Sequence, residues 1–66
     1  MTAKGFPMKL KWLRTQRKMS QADLAAKADL SREYVARLET GHHDPPLSTL
    51  QRLAKALKVK VTKLLE

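Results

Sequence analysis

Two signals for the start of a helix stand only eleven residues apart in this 66-residue chain, at Ser20 and Ser31. Asp23 follows Ser20 at the spacing of a capping box, in which the serine oxygen accepts a backbone amide and the acidic side chain bonds back. Only Asp29 and Leu30 separate the first of these helices from the second cap. Two short helices joined so tightly cannot pack antiparallel, so they must cross at a large angle, as in a helix-turn-helix.

The apolar residues around the two caps fit such a crossing. Met19 and Leu24, and then Leu30 and Val35, have the spacing of the hydrophobic staple that fixes how the chain enters a helix. Ala25 lies where the helices cross, because only a small side chain lets the backbones approach. The positions expected to set the angle are Leu24, Ala28, Leu30, Val35 and Leu38. Gly41 is the left-handed residue expected after the second helix.

Helical spacing continues on both sides of this pair. Leu10, Leu13 and Arg14 share a face, which predicts a first helix over residues 7–18 with Pro7 in its first turn. Residues 1–6 contain Gly5 and few packing groups, so we expect a flexible basic arm there and a single domain over 7–66. Residues 42–46 are predicted to form a loop, because helical angles are disfavoured for the residue before each of its two prolines. A fourth helix is predicted from the stripe Leu47, Leu50, Leu53, Ala54 and Leu57.

After Lys58, Val59 and Val61 favour extended backbone, and residues 62–65 are expected to form a short final turn or helix. The fold class is therefore all-α, a compact bundle of four to five short helices around a central helix-turn-helix. A chain of this size buries only about 60% of the surface that its unfolded form exposes, which leaves little room for a deep catalytic cavity.

Composition narrows the function. The chain has 14 Lys and Arg against 6 Asp and Glu, a net charge of +8, which favours polyanionic partners. It has no cysteine, hence no disulfide and no thiolate zinc site. No apolar run is long enough for a membrane span, and no secretory signal is recognisable. No catalytic motif or phosphate-binding glycine loop occurs. We expect a cytoplasmic protein, associated with a bacterial or phage nucleoid, without enzymatic activity, cofactor, metal, membrane or small-molecule ligand.

Three motifs carry a resemblance to a known family. The opening Ser20-Gln21…Leu24-Ala25, the closing Leu38-Glu39-Thr40-Gly41 and the fourth-helix pattern from Leu53 to Val59 resemble the phage repressor/Cro (Xre-type) helix-turn-helix family over about residues 8 to 65. The resemblance implies a lambda repressor-like DNA-binding domain. One departure is Asp29, at a turn position that the family often fills with glycine. Aspartate tolerates left-handed angles better than most residues, so we expect the turn to persist with some strain.

The resemblance also implies a set of DNA-binding residues. The positions implied to contact bases are Ser31, Arg32, Glu33, Ala36 and Arg37. Arginine can bond bidentately to guanine, glutamate can accept from cytosine, and the alanine methyl can pack on thymine. Two alternatives stay open. Glu33 and Arg37 have the spacing of an ion pair along one helix. Ser31 either caps the helix without contacting a base or has both roles.

Other positions are expected to contact phosphate or support the helix. The phosphate set is Lys9, Ser20, Gln21, Thr40, His42 and His43. Gln21 has a second implied role, to buttress the base-contacting helix. An alternative role for His42 and His43 is metal binding, for which two adjacent histidines without cysteine are weak evidence. A further alternative is that the two loop histidines have no functional role.

Two further features have alternatives. The resemblance implies that Arg14 and Glu39 pair across the core, unless each reaches solvent separately. Trp12 falls off the core face of the first helix, where it is half-covered by the N-terminal arm or marks a protein interface.

The function expected from these observations is a sequence-specific, double-stranded DNA-binding transcriptional regulator that represses by occupying a palindromic operator. It would act as a homodimer with half-sites about 34 Å apart. We expect the dimer surface around residues 59–65, unless those side chains are core. The alternative is the antitoxin of a toxin–antitoxin pair, or another protein-interaction module, with a toxin as partner. A cationic peptide lying on a membrane is disfavoured by the shared core.

The charge is unevenly distributed. Residues 1–18 carry +6, residues 19–41 carry −1, and residues 42–66 carry +3. We therefore expect the flanking segments to supply phosphate attraction and the helix-turn-helix to supply specificity.

Overall fold

The computed structural model describes residues 5–65, which form five helices joined by short turns and loops. They are α1 (Phe6–Gln16), α2 (Gln21–Ala28), α3 (Arg32–Glu39), α4 (Leu47–Leu57) and α5 (Val61–Leu65). Helix α2 packs against α3 and α4, α1 packs against α3, and α5 lies against α4 and α1. The described residues contain no strand and no helix that could cross a membrane. The predicted all-α fold with a central helix-turn-helix is confirmed.

Both predicted serine caps are present. The Ser20 Oγ accepts the Asp23 amide at 3.0 Å, and the Ser20 amide donates to the Asp23 carboxylate at 2.9 Å, which completes the capping box. The Ser31 Oγ accepts the Tyr34 amide at 3.1 Å. These bonds satisfy amides that have no partner within their own helix, so the chain begins α2 and α3 where the sequence predicts.

Each of α1 to α4 is followed by one residue in the left-handed region. These residues are Lys18, Asp29, Gly41 and Lys58. In each case the next amide bonds to the carbonyl five residues earlier, as the 2.8 Å bond from Leu30 N to Ala25 O illustrates. This is the Schellman ending, and three of its four left-handed residues here carry side chains. The left-handed turns predicted at Asp29 and Gly41 are confirmed, whereas those at Lys18 and Lys58 were not predicted.

One apolar core joins all five helices. The buried members are Phe6, Leu10, Leu13, Leu24, Ala25, Ala28, Val35, Leu38, Leu50, Leu53, Ala54, Leu57 and Leu64. Ala25 is 3% exposed at the predicted crossing of α2 and α3. This core fixes the position of α3, since α1 and α2 pack on its inner side.

Three sequence predictions need correction. Phe6 is not part of a flexible arm, because it begins α1 and its ring is 1% exposed within the core. Arm residues 1–4 lie outside the described residues. Leu47 does not belong to the buried stripe of α4; it is 59% exposed, and Thr49 lies on the buried face instead. Val61 is helical rather than extended.

Candidate nucleic-acid interface

Helix α3 has a buried side and an exposed side. Val35 and Leu38 point into the core. Arg32, Glu33 and Arg37 are exposed and Ala36 is half-buried, at spacings that place all four on the side away from the core. Four of the five positions expected to contact bases therefore share one face. We call this face the α3 face.

The fifth position, Ser31, lies just before α3 and is exposed. Its Oγ accepts the Tyr34 amide, so Ser31 acts as the helix cap in the free protein. A base contact by its hydroxyl stays a prediction. The same holds for Arg32, Glu33, Ala36 and Arg37, whose positions on the α3 face are compatible with the expected role.

Glu33 and Arg37 do not pair with each other. The ion pairs within residues 5–65 include Arg14–Glu39 and Arg52–Asp29, and neither Glu33 nor Arg37 takes part in one. The side chains of Glu33 and Arg37 are both exposed. Both side chains can therefore contact another group without first breaking an ion pair.

The residues expected to contact phosphate lie around the ends of α2 and α3 and on α1. Ser20, Thr40, His42 and His43 are exposed, and Lys9 is half-buried. The Ser20 hydroxyl is engaged as the cap of α2. Their phosphate contacts stay predictions.

The loop after α3 is held against the helix. The Thr40 hydroxyl donates to the Arg37 carbonyl at 3.0 Å and lies 3.1 Å from the His42 Nδ1. The His43 ring centroid lies 5.9 Å from that of Tyr34. In the described part of the chain, no three side chains of His, Cys, Asp or Glu converge as a metal site would need.

Arg14 and Glu39 form the predicted ion pair across the core. Arg14 donates from Nε to one Glu39 oxygen at 2.6 Å and from Nη2 to the other at 3.1 Å, and its Nη1 donates to the Met19 carbonyl at 2.8 Å. The side chains are only 10% and 3% exposed. The hydrogen bond to Glu39 raises the pKa of Arg14 and outweighs burial, which lowers it. Helix α1 is thereby tied to the end of α3.

Gln21 connects α2 to α3. Its side-chain amide donates to Glu39 Oε1 at 3.0 Å. Its carbonyl oxygen lies 3.5 Å from Arg32 Nη1, a weak contact. Of the two roles implied for Gln21, the geometry matches the buttress directly, and a phosphate contact stays a prediction.

Arg52 is a residue that the sequence analysis missed. It extends from α4 to the end of α2, where its Nε donates to the Ala28 carbonyl at 3.0 Å and its Nη2 donates to the Asp29 carbonyl. The same Nη2 lies 3.3 Å from the Asp29 carboxylate. No local pattern could have indicated these contacts, because they join residues 23 and 24 positions apart.

Trp12 and Met8 are large apolar side chains on the outer side of α1, 54% and 79% exposed. They line a shallow groove with Lys9, Lys11, Thr15 and Glu39. The arm residues 1–4 predicted to cover Trp12 lie outside the described part of the chain.

Comparison with known proteins bears on this geometry. The model of a helix-turn-helix family matches residues 10–64. The immunity repressor protein of Bacillus phage phi105 is 44% identical over 54 residues, which cover 82% of this chain and 38% of that protein. An uncharacterized HTH-type transcriptional regulator of Methanocaldococcus jannaschii is 38% identical over 53 residues, which cover 80% of each chain. The chain thus spans well under half the length of the phage repressor.

A solved structure has the same fold. The restriction-modification controller protein C.AhdI from Aeromonas hydrophila superposes with a TM-score of 0.88 at 36% sequence identity, and the match covers 89% of each chain. The family match spans both caps, the turn at Asp29 and the α3 face. The chain belongs to the Xre-like helix-turn-helix family.

Proposed function

We propose that this protein is a sequence-specific, double-stranded DNA-binding transcriptional regulator that represses by occupying its operator. The observation that carries the proposal is the α3 face, where Arg32, Glu33, Ala36 and Arg37 point away from the core with no ion pair between Glu33 and Arg37. A helix of this kind can enter the major groove and present its side chains to base edges. The similarity to a phage immunity repressor supports the repressor role.

Phosphate contacts would orient the α3 face in the groove. We assign these contacts to residues on α1, at the start of α2 and after α3, namely Lys9, Ser20, Gln21, Thr40, His42 and His43. Backbone amides at the capped start of α2 also suit a phosphate oxygen. These contacts carry no sequence information but fix the register of the protein on the duplex.

We further propose that two copies bind a palindromic operator. The Cα atoms of the described residues extend over 25 × 22 × 20 Å, so two such domains side by side have centres closer than the roughly 34 Å between half-sites. The two α3 helices must therefore lie on the outer halves of the dimer. Helix α5 packs on α4 and α1, whereas α3 packs on α2 and α1. An interface near α5 is compatible with that arrangement.

The expected dimer surface over residues 59–65 divides into two parts. Leu64 is buried in the core, and Val59 and Val61 are partly buried against it. Leu65 is 36% exposed, and we propose this exposed apolar side chain as the contact to a second copy.

Selection of bound sequences from a random duplex pool at fixed salt tests the proposal. We expect a palindromic consensus with half-sites centred about 10–10.5 base pairs apart. The Arg32→Ala, Arg37→Ala double variant should lose enrichment, whereas Lys55→Ala, which changes an exposed cation on α4, should keep it. Failure of the native chain to enrich any motif would contradict sequence-specific binding.

The antitoxin alternative has one observation in its favour, the exposed Met8 and Trp12 beside Lys9 and Lys11, which match an acidic protein surface with apolar contacts. The named relatives are regulators and do not favour it. Co-expression with the product of the neighbouring gene distinguishes the two. A toxin would be neutralised by the native chain and not by Trp12→Ala.

We propose no enzymatic activity, cofactor or small-molecule ligand for this protein. We expect it in the cytoplasm, associated with the bacterial or phage nucleoid. A fluorescent fusion tests the location, because it should follow the DNA and become diffuse in the Arg32→Ala, Arg37→Ala variant.

A further inference from the structure

Arg52 contacts the turn that joins the two helices of the DNA-binding unit. Two of its nitrogens donate to consecutive carbonyls, those of Ala28 and Asp29, and it also approaches the Asp29 carboxylate. We propose that Arg52 is a positioning residue, which fixes this turn and thereby the orientation of α3. The inference rests on the proposed DNA-binding function, since orientation matters there for contacts to bases.

The turn needs such support because its backbone is unusual. Asp29 has φ of 59° and ψ of 47°, a conformation that costs free energy for a residue with a side chain. The last carbonyls of α2 also lack partners within their own helix. Arg52 supplies donors and a positive charge at that helix end, where both are favourable.

The backbone contacts matter more than the ion pair. The Asp29 side chain is fully exposed and that of Arg52 is 43% exposed, so solvent screens the attraction between them. The two carbonyl bonds instead depend on the fork geometry of the guanidinium, which presents several donors in fixed directions. Lysine preserves the charge, but its single nitrogen on a flexible stem cannot place two donors at the fixed positions of the Arg52 Nε and Nη2.

The contacts tie the turn to a third helix. Arg52 belongs to α4, which packs on α2, while α3 begins three residues after Asp29 with Arg32. A small rotation at the turn would therefore displace Arg32 and Arg37 relative to base edges. Phosphate contacts by flexible side chains tolerate such a displacement better, so loss of Arg52 should affect specific binding more than non-specific binding.

Lys55 offers a matched control. It is exposed on the same helix, and its side chain makes no hydrogen bond or ion pair within residues 5–65. Affinities of the native chain, Arg52→Met, Lys55→Met and Arg52→Lys are measured for the selected operator and for a random duplex at one salt concentration. Arg52→Met should lose roughly tenfold more affinity for the operator than for the random duplex, the scale of one base contact. Lys55→Met should weaken both equally.

Arg52→Lys separates geometry from charge. It should bind the random duplex as the native chain does and still lose affinity for the operator. Equal ratios of operator to random affinity for Arg52→Met and Lys55→Met would overturn the proposal. Recovery of the native ratio in Arg52→Lys would also contradict it, because charge alone would then suffice.

Amide hydrogen exchange provides a readout independent of DNA. The Leu30 amide, bonded to the Ala25 carbonyl at 2.8 Å, should exchange faster in Arg52→Met than in Lys55→Met, while core amides of α4 stay protected. Unchanged exchange at Leu30 would overturn the role of Arg52 in the turn. Absence of any sequence preference in the native chain would instead refute the proposed function and leave the exchange result to decide on the turn.

Discussion

Arg37 and Lys9 carry the same charge but lie in different surroundings. Arg37 is exposed on the α3 face, and Lys9 is half-buried on α1. Arg37→Ala should relax the preference at one base pair by about 1–3 kcal/mol, whereas Lys9→Ala should weaken binding to all sequences and lower the salt slope by about one. Binding to the operator and to single-base variants over a range of salt measures both effects. The assignment of roles is wrong if the two variants behave alike.

The buried ion pair predicts a non-additive response. Glu39→Met leaves the Arg14 guanidinium buried with its two carboxylate bonds lost, so it should lower the free energy of unfolding by about 3–5 kcal/mol. Arg14→Met should cost a similar amount. The double variant should cost less than the sum, because no unpaired charge remains. Urea denaturation of all four proteins measures the coupling, and strictly additive losses would show that the pair is not coupled.

The left-handed residue that ends a helix affects the stability of the fold. Lys58 ends α4 with φ of 58°, so Lys58→Gly should raise the free energy of unfolding by about 0.5–1 kcal/mol. Lys60→Gly removes the same charge at a residue without positive φ, and it should leave stability unchanged or lower it. Thermal unfolding of both variants gives the comparison. A gain of equal size in both would point to charge repulsion rather than backbone strain.

The start of α2 responds to pH. Hydrogen bonds from the Ser20 amide and hydroxyl lower the pKa of Asp23 from its ordinary value of 3.8. A group with a lowered pKa stabilises the folded state above its unfolded pKa, and this stability is lost as the pH falls through the folded pKa. Asp23→Asn should therefore be less stable than the native chain at neutral pH, and the difference should shrink well below pH 3.8.

Thermal unfolding of the two proteins across this pH range checks the prediction. A constant difference at all pH values would show that the Asp23 charge does not contribute.

Two neighbouring leucines, Leu64 and Leu65, distinguish folding from assembly. Leu64 is buried in the core and Leu65 is 36% exposed. Leu65→Glu should convert the proposed dimer to a monomer and lower operator affinity while the fold persists. Leu64→Glu should unfold the chain, because it places a charge in the core.

Sedimentation velocity and circular dichroism distinguish these outcomes. A Leu65→Glu protein that remains dimeric would place the interface elsewhere. The exposed Leu47 then offers the next variant.

Charge is also a property of the whole molecule. The helix-turn-helix segment 19–41 carries −1, while residues 1–18 carry +6. The α3 face itself combines Arg32 and Arg37 with Glu33. Attraction to phosphate therefore depends mainly on segments that flank α3, in agreement with different roles for Lys9 and Arg37.

Interactions within a few residues could be predicted from the sequence. The caps at Ser20 and Ser31 bond to amides three residues away, and the left-handed turns at Asp29 and Gly41 bond to carbonyls within five. Such bonds depend on local backbone angles, which residue type and spacing largely fix. The same locality places Arg32, Glu33, Ala36 and Arg37 on one face of α3, because a regular helix has a fixed period.

Contacts between distant residues depended on the tertiary structure. Periodicity does not reveal that Phe6 fills the core, that Leu47 is exposed or that Arg52 bonds to Ala28, because each depends on how helices from different parts of the chain meet. The Arg14–Glu39 pair was predicted only through the family resemblance, and its geometry and the participation of Gln21 came from the fold. Local hydrogen bonds and helical spacing were enough to predict the starts of α2 and α3 and the shared side of Arg32, Glu33, Ala36 and Arg37, whereas their role in base contact was implied by the family resemblance. Only packing among α1, α2 and α4 decided which side chains hold that face in place.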